Sequence, residues 1–220
     1  MLVFKSGTAV SKDIPFRPDE RITAALLADT LKEPVDKGIW MDKIAGTAFH
    51  SQPVDSLLKI TMHRSDNFFA EQTLLMVGYQ KLGVLNDSKA IENILATDLA
   101  ELPQKPKWVD GSGLSRYDLV SPRDFVYVLG KMKAEFSWER ISTILAAGNS
   151  GTLAGYYKDH AAQIHAKTGT LSNNLSLSGY ITTRSGKQLI FSIMVNNHQA
   201  SATAVRRTIE KFLTEVMDQY

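Results

Sequence analysis

Hydrophobic and polar positions predict a run of helices in the earlier part of the chain. Helical patterns cover residues 21–32, 53–82, 88–101, 122–133 and 138–145. Within 53–82 we expect a break at Ser65-Asp66-Asn67, because these residue types favour caps and turns over helix interiors. Residues 37–52 have no such pattern and predict a loop, and Gly83 is placed to end the second helical block.

The pattern changes to that of strands after Gly148. Residues 175–182 alternate between apolar and small or polar side chains, which is typical of a strand with one buried face. Residues 188–195 are apolar on both faces and predict a buried central strand. The turn residues at 184–187 join the two strands into a hairpin.

A third strand and a closing helix complete the predicted architecture. Residues 163–167 predict the strand, and residues 202–217 predict the helix. The helix carries a single apolar stripe made of Ile209, Phe212, Leu213, Val216 and Met217. Its polar face mixes both charges, which favours packing on a core over contact with a membrane surface. Helices followed by three antiparallel strands and a helix predict an α+β fold.

Composition excludes several classes of function. The 220 residues include no cysteine, so disulfides, thiolate metal sites and a cysteine nucleophile are absent. With 25 basic and 23 acidic residues, the net charge of +2 gives no sign of a nucleic-acid partner. The five histidines lack metal-ligand spacing, so no metal or other cofactor is expected. No apolar window is long enough to span a bilayer, and residues 1–10 do not resemble a signal peptide.

Three short motifs carry the candidate chemistry. Ser65-Asp66-Asn67 lies between two predicted helices, Asp110-Gly111-Ser112-Gly113 lies in a loop, and Lys167-Thr168-Gly169-Thr170 ends the first predicted strand. Each alone has a structural interpretation, as a helix cap, a tight turn and an exposed strand end. Together, and in this order, they match a set of motifs known for acyl transfer to serine.

On these motifs the chain resembles the active-serine penicillin-recognising enzymes. The segments SLLKITMHRSDNFFAEQ, WVDGSGLSRYDLVSP and AKTGTLSNNLSLSGY are similar to the D-alanyl-D-alanine carboxypeptidase/endopeptidase family, the class C low-molecular-mass penicillin-binding proteins. The resemblance covers about residues 20–218. It implies an antiparallel sheet flanked by helices, in a β-lactamase/transpeptidase-like α+β fold.

The resemblance also implies roles for residues of the first two motifs. Ser65 would relay a proton, and the amide of Asn67 would hold the substrate peptide. The loop that contains Asp110 and Ser112 is typical of the family, and we expect these two residues at the substrate site without a defined step.

The third motif would form the opposite wall of the cleft. Lys167 would supply positive potential, and the hydroxyls of Thr168 and Thr170 would bind the terminal carboxylate of the substrate. Gly169 would let the substrate backbone approach the strand, because glycine has no side chain at that position.

The family's nucleophile motif, Ser-x-x-Lys, raises a difficulty. Its one occurrence, Ser56-Leu57-Leu58-Lys59, lies nine positions before Ser65. In a continuous helix the two serines would lie on opposite sides and about 13 Å apart along the axis. We therefore expect Ser56 not to be catalytic and the chain to be the C-terminal part of a longer protein that lacks its N-terminal portion. Residues 1–20 would then be an arm or the tail of an inserted domain, and 21–220 the transpeptidase-like part.

The expected parent function is that of a serine-type D-Ala-D-Ala carboxypeptidase or endopeptidase. It would cleave peptidoglycan stem peptides through an acyl-enzyme outside the cytoplasm, and β-lactams would inhibit it. The alternative is a non-catalytic protein that binds peptidoglycan peptides or is completed by a partner. An incomplete sheet would leave an open edge strand, so the sequence also predicts self-association.

Overall fold

A computed structural model describes residues 19–38 and 50–220. The helices are α1 (Glu20–Leu31), α2 (Val54–Arg64), α3 (Asn67–Leu82), α4 (Asp87–Ala96), α5 (Pro122–Glu135), α6 (Trp138–Ile144) and α7 (Ala202–Gln219). The strands are β1 (Ala146–Ala147), β2 (Ile164–Leu171), β3 (Asn174–Thr182) and β4 (Gln188–Asn196). No described helix is both long and apolar enough to cross a membrane.

The described residues fall into two compact units, divided between Phe49 and His50. The first contains α1, whose N-terminus is capped by the Asp19 carboxylate, which accepts from the Ile22 N–H at 2.7 Å. The second contains all the other elements. The arm predicted for residues 1–20 and most of the loop predicted for 37–52 lie outside the described residues.

The sheet is antiparallel throughout, in the order β1-β2-β3-β4. β2 and β3 pair from Ile164 opposite Ile181 to Leu171 opposite Asn174, and β3 and β4 form the predicted hairpin. The prediction of a central position for 188–195 is wrong, because β4 is the last strand of the described sheet and its side chains are mostly half-buried. Its apolar side chains are explained by helices on both faces.

One face of the sheet packs against α7. The core there consists of Leu153, Tyr157, Ile164, Ala166, Leu175, Leu177, Ile181, Ile209, Leu213 and Met217. The stripe predicted for α7 is confirmed at Ile209, Leu213 and Met217, which are buried. Phe212 departs from it and is 55% exposed, so the packed stripe of α7 is narrower than the spacing suggested.

The opposite face packs against α2, α5 and α6. Its core contains Leu129, Ile141, Leu145 and Tyr180, and the buried Tyr180 hydroxyl donates to the Leu129 carbonyl at 2.7 Å. Burial raises the pKa of Tyr180 to about 12. This helical layer holds the α2–α3 junction above the middle of β2.

The helix boundaries follow the sequence signals with one exception. The predicted break after α2, the Gly83 cap of α3 and the Ser121 cap of α5 are all present. The helix predicted for 88–101 instead ends at Ala96 and continues as turns, although the first proline lies at 103. Thr97 leaves the helical region there, with φ −120° and ψ −80°.

Candidate active site

The α2–α3 junction presents Ser65 and Asn67 to solvent. Ser65 has a left-handed backbone, with φ 56° and ψ 51°, which ends α2, and the Asp66 N–H donates to the Thr61 carbonyl at 3.1 Å. The Asp66 carboxylate then caps α3 by accepting from the Phe69 N–H at 2.9 Å. A left-handed serine is uncommon and is often found at functional sites. The junction thus fixes two exposed polar side chains on a rigid turn.

Lys167 of β2 reaches this junction. Its Nζ donates to the Ser65 Oγ at 2.7 Å and to the Thr168 carbonyl at 2.5 Å. Burial of the ammonium group lowers the pKa of Lys167 to about 8. Lys167 is therefore a cation at neutral pH that can lose its proton at modest cost. The structure brings Ser65 and Lys167 together, although 102 positions separate them in the sequence.

Thr168 and Thr170 lie on the other face of β2. Successive side chains of a strand point to opposite faces, so Lys167 faces α2 while both threonines face α7. The Thr170 hydroxyl accepts from the Arg206 guanidinium of α7 at 2.9 Å. The space that a Cβ at Gly169 would need is occupied by the Ser176 hydroxyl of β3, 2.3 Å away.

The loop at residues 110–115 is fastened to α3 by Glu71. One carboxylate oxygen of Glu71 accepts from the Gly111 N–H at 2.9 Å, and the other accepts from the Ser112 N–H at 3.0 Å. A Cβ at Gly111 would lie 2.9 Å from the Ala70 carbonyl oxygen, so a glycine is required at this close approach. The loop therefore has a defined position beside the first turns of α3.

Asp110 organises the same loop from within. Its carboxylate accepts from the Gly113 N–H at 2.5 Å and from the Ser115 N–H at 2.8 Å, and its carbonyl accepts from the Trp108 indole at 2.6 Å. Asp118 lies nearby, and burial, with Asp110 as an additional negative neighbour, raises the pKa of Asp118. In this structure the Asp110 side chain is engaged in shaping the loop.

The Ser-x-x-Lys motif, Ser56–Lys59, lies away from the contact between Ser65 and Lys167. Ser56 lies in the first turn of α2 and Ser65 follows its last turn, so the helix is continuous between them up to Arg64. The helical rise separates the two serines by about 13 Å along the axis. Lys59 is exposed to solvent.

Several residues near the site escaped the sequence analysis. Glu71 follows Asn67 by four positions on α3, so helical spacing could have placed it beside the motif. Arg206 gave no signal, because its contact with Thr170 depends on α7 crossing the sheet. His165 lies two positions before Lys167 and meets the edge of the Trp138 ring at 5.1 Å; burial and the neighbouring His63 lower the pKa of His165.

Metal ligation finds no support in the described part of the chain. Within 19–38 and 50–220, no three His, Cys, Asp or Glu side chains are grouped so as to hold an ion. The chemistry available at the junction is hydrogen bonding, proton transfer and positive potential.

Comparison with known proteins gives a consistent result. The sequence profile of the D-Ala-D-Ala carboxypeptidase 3 (S13) family matches residues 42–219. D-alanyl-D-alanine carboxypeptidase DacB of Haemophilus influenzae is 30% identical over 161 residues, covering 67% of this chain and 33% of that protein. A D-alanyl-D-alanine carboxypeptidase of Actinomadura is 31% identical over 191 residues, covering 80% and 35%. The chain thus spans about a third of the length of these curated relatives.

Solved structures show the same fold. Penicillin-binding protein 4 (dacB) from Haemophilus influenzae, in complex with a β-lactam, superimposes with a TM-score of 0.71 at 20% identity, covering 90% of this chain and 51% of that one. The TLA-1 extended-spectrum β-lactamase superimposes with a TM-score of 0.56 at 16% identity, covering 75% and 63%. The predicted β-lactamase/transpeptidase-like α+β fold is confirmed. With its profile match over most of the sequence, the chain belongs to the D-Ala-D-Ala carboxypeptidase 3 (S13) family.

Proposed function

We propose that this chain forms the substrate-holding part of a serine-type D-Ala-D-Ala carboxypeptidase or endopeptidase. The observation that carries the proposal is the 2.7 Å contact between Lys167 Nζ and Ser65 Oγ. It joins a cation of lowered pKa to a hydroxyl on a rigid turn, and two such groups can bind an anionic peptide end and move a proton.

The contact suggests how Ser65 acts. Because the Ser65 Oγ accepts from Lys167, its own hydrogen is free to point away from the lysine towards a substrate. During acylation a serine oxygen bonds to the penultimate D-Ala carbonyl and the peptide bond breaks. Ser65 donates its proton to the departing amine and takes one from the Lys167 ammonium, which in turn recovers the proton released by the attacking serine hydroxyl, so Ser65 and Lys167 end as they began. Water later hydrolyses the ester and releases the shortened peptide.

The acylating serine itself is proposed to come from outside these 220 residues. Ser56 faces away from the Ser65 side of α2, and its Lys59 partner is exposed. The relatives are about three times as long as the matched region, which leaves ample chain to supply that serine. By the same family membership, we propose that the parent protein acts outside the cytoplasm on peptidoglycan stem peptides and is inhibited by β-lactams.

The test combines binding with intact mass. A D-Ala-D-Ala peptide should bind saturably to the folded chain, and binding should weaken in Ser65→Ala. Incubation with penicillin should add no covalent mass. An adduct that is lost in Ser56→Ala would identify Ser56 as the nucleophile and contradict the proposed origin of the serine. A folded chain that binds no D-Ala-D-Ala peptide would contradict the function as a whole.

Self-association is proposed separately. β4 is nine residues long and has no neighbour on its outer side within the described sheet, which leaves backbone groups available for strand addition. A concentration-dependent dimer in light scattering would support pairing at this edge. A mass that stays monomeric up to high concentration would contradict it.

A further inference from the structure

The two adjacent arginines of α7 have different environments. Arg207 is compensated, since its guanidinium pairs with the Glu210 carboxylate at 2.6 Å and lies over the Tyr156 ring at 4.3 Å. Arg206 forms no ion pair with any residue of the described chain. Within the described residues, its side chain donates one hydrogen bond, to the Thr170 hydroxyl. A half-buried guanidinium with most of its donors unused is poised to bind an anion.

The position of Arg206 brings this charge to the third motif. Arg206 lines a small pocket together with Thr168, Leu175, Leu177 and Ile209. The apolar side chains around it limit hydration of the guanidinium, which strengthens its attraction for an anion. Lys167 lies on the opposite face of β2, so the strand end carries one cation on each face.

Thr170 links Arg206 to the exposed strand end. The threonine oxygen accepts from Arg206, so the hydroxyl hydrogen is directed elsewhere, and Thr170 is exposed. A hydroxyl polarised in this way is a better donor to a carboxylate than a free threonine, because the adjacent cation draws electron density from its oxygen.

We propose that Arg206 is a positioning residue that sets selectivity for a substrate ending in a free carboxylate. It orients the Thr170 hydroxyl and adds positive potential behind it, and the ligand class is a peptide with an anionic C-terminus. This proposal rests on the proposed function. It adds Arg206 to the proposed site and gives Arg206 and Lys167 separate roles there. Lys167 transfers the proton and contributes positive potential to the carboxylate from one face of β2, and Arg206 positions the carboxylate through Thr170 on the other face.

The experiment compares two peptides that differ only in terminal charge. Acetyl-lysyl-D-alanyl-D-alanine and its C-terminal amide are titrated into the full chain by NMR, and the ratio of their dissociation constants is the readout. The wild-type chain should prefer the carboxylate by about tenfold, and Arg206→Gln should reduce this preference to about twofold. Arg206→Lys should keep an intermediate preference. A variant whose structure is generally disturbed should bind both peptides more weakly by the same factor, which leaves the ratio of the two dissociation constants unchanged.

Arg207→Gln is the matched control and should keep the wild-type ratio. Thr170→Val should lower the ratio as Arg206→Gln does, and the double variant should lower it no further, because the two residues act as one unit. An unchanged ratio in Arg206→Gln, with peptide binding still dependent on Ser65, overturns this inference while the proposed function stands. Failure of the wild-type chain to bind either peptide overturns both.

Discussion

The two faces of the sheet differ in how they combine stability and chemistry. The face towards α7 is built around a continuous apolar core in which Leu213 and Met217 are almost fully buried. The face towards α2, α5 and α6 mixes a smaller core with polar groups, including Lys167, His165 and the pair Ser178–Ser192, whose hydroxyls are 2.8 Å apart. Along most of their length the strands therefore form a packed platform on the α7 side and a more polar surface on the other, and Thr170 and Arg206 add polar groups to the α7 side at the end of β2.

Substitutions on the two faces should therefore have different effects. Removing an apolar group from the α7 face leaves a cavity that a close-packed interior cannot fill, so we expect loss of stability. Removing a polar group from the other face relieves the desolvation of that group, so we expect loss of binding with little loss of stability. Single substitutions on each face, compared with matched controls, test this difference.

Leu213→Ala should lower the free energy of unfolding by about 3 kcal/mol, because Leu213 is 2% exposed in the α7 core. Urea denaturation measures the change. The neighbouring Phe212→Ala is the matched control and should cost much less, since Phe212 is 55% exposed. Equal losses in the two variants would show that α7 is not docked on the sheet as described.

Lys167→Met should weaken binding of a D-Ala-D-Ala peptide by about 30-fold, which corresponds to about 2 kcal/mol. The melting temperature should not fall, because the variant removes a half-buried ammonium that is partly desolvated in the folded chain. Lys187→Met, in the exposed turn before β4, should leave both quantities unchanged. If Lys167→Met bound the peptide as tightly as the wild type does, Lys167 would not be part of the binding site.

Glu71→Gln should loosen the loop at residues 110–115. A glutamine offers one carbonyl oxygen and one NH2 group, so one of the two N–H donors at Gly111 and Ser112 loses its acceptor, at a cost of about 1–2 kcal/mol. Hydrogen exchange at these amides should accelerate by about tenfold. Glu92→Gln, on the exposed surface of α4, is the control. Unchanged protection would mean that Glu71 does not hold the loop.

A smaller effect is expected in the pH dependence of stability. Lys167 has a pKa of about 8 in the folded chain and of about 10.5 when unfolded. Between these values the unfolded chain binds more protons, so the stability of the wild type should rise with pH relative to Lys167→Met. Chemical denaturation of both proteins from pH 7 to pH 10.5 measures the difference. A constant difference would contradict the lowered pKa.

Local sequence signals predicted most of the fold and only part of the site. Caps at Ser65-Asp66, Gly83 and Ser121 are short-range, so helix boundaries could be derived from neighbouring residues. Two errors have longer-range causes. Within the described sheet β4 is the last strand although its sequence is apolar on both faces. Packing of α7 left Phe212 exposed although it belongs to the stripe.

Local sequence signals were also insufficient to predict the contacts within the site. The motifs located Ser65 and Lys167, but their contact depends on how the α2–α3 junction lies over β2, which spacing along the chain does not encode. Arg206 and Glu71 were missed because each contacts a residue far away in sequence. The roles carried over from the resemblance remain predictions for all the residues concerned: Ser65, Asn67, Asp110, Ser112, Lys167, Thr168, Gly169 and Thr170.

The proposed site depends above all on the protonation state of Lys167, which can be measured. The Nζ resonance of Lys167 can be followed by NMR from pH 6 to pH 11, with and without a D-Ala-D-Ala peptide, and assigned with Lys167→Met. We expect a pKa of about 8 for Lys167 in the free chain, a rise of this pKa when the peptide carboxylate binds, and weaker binding as the pH increases through 8. A pKa near 10.5 that does not respond to the peptide would contradict the proposed site.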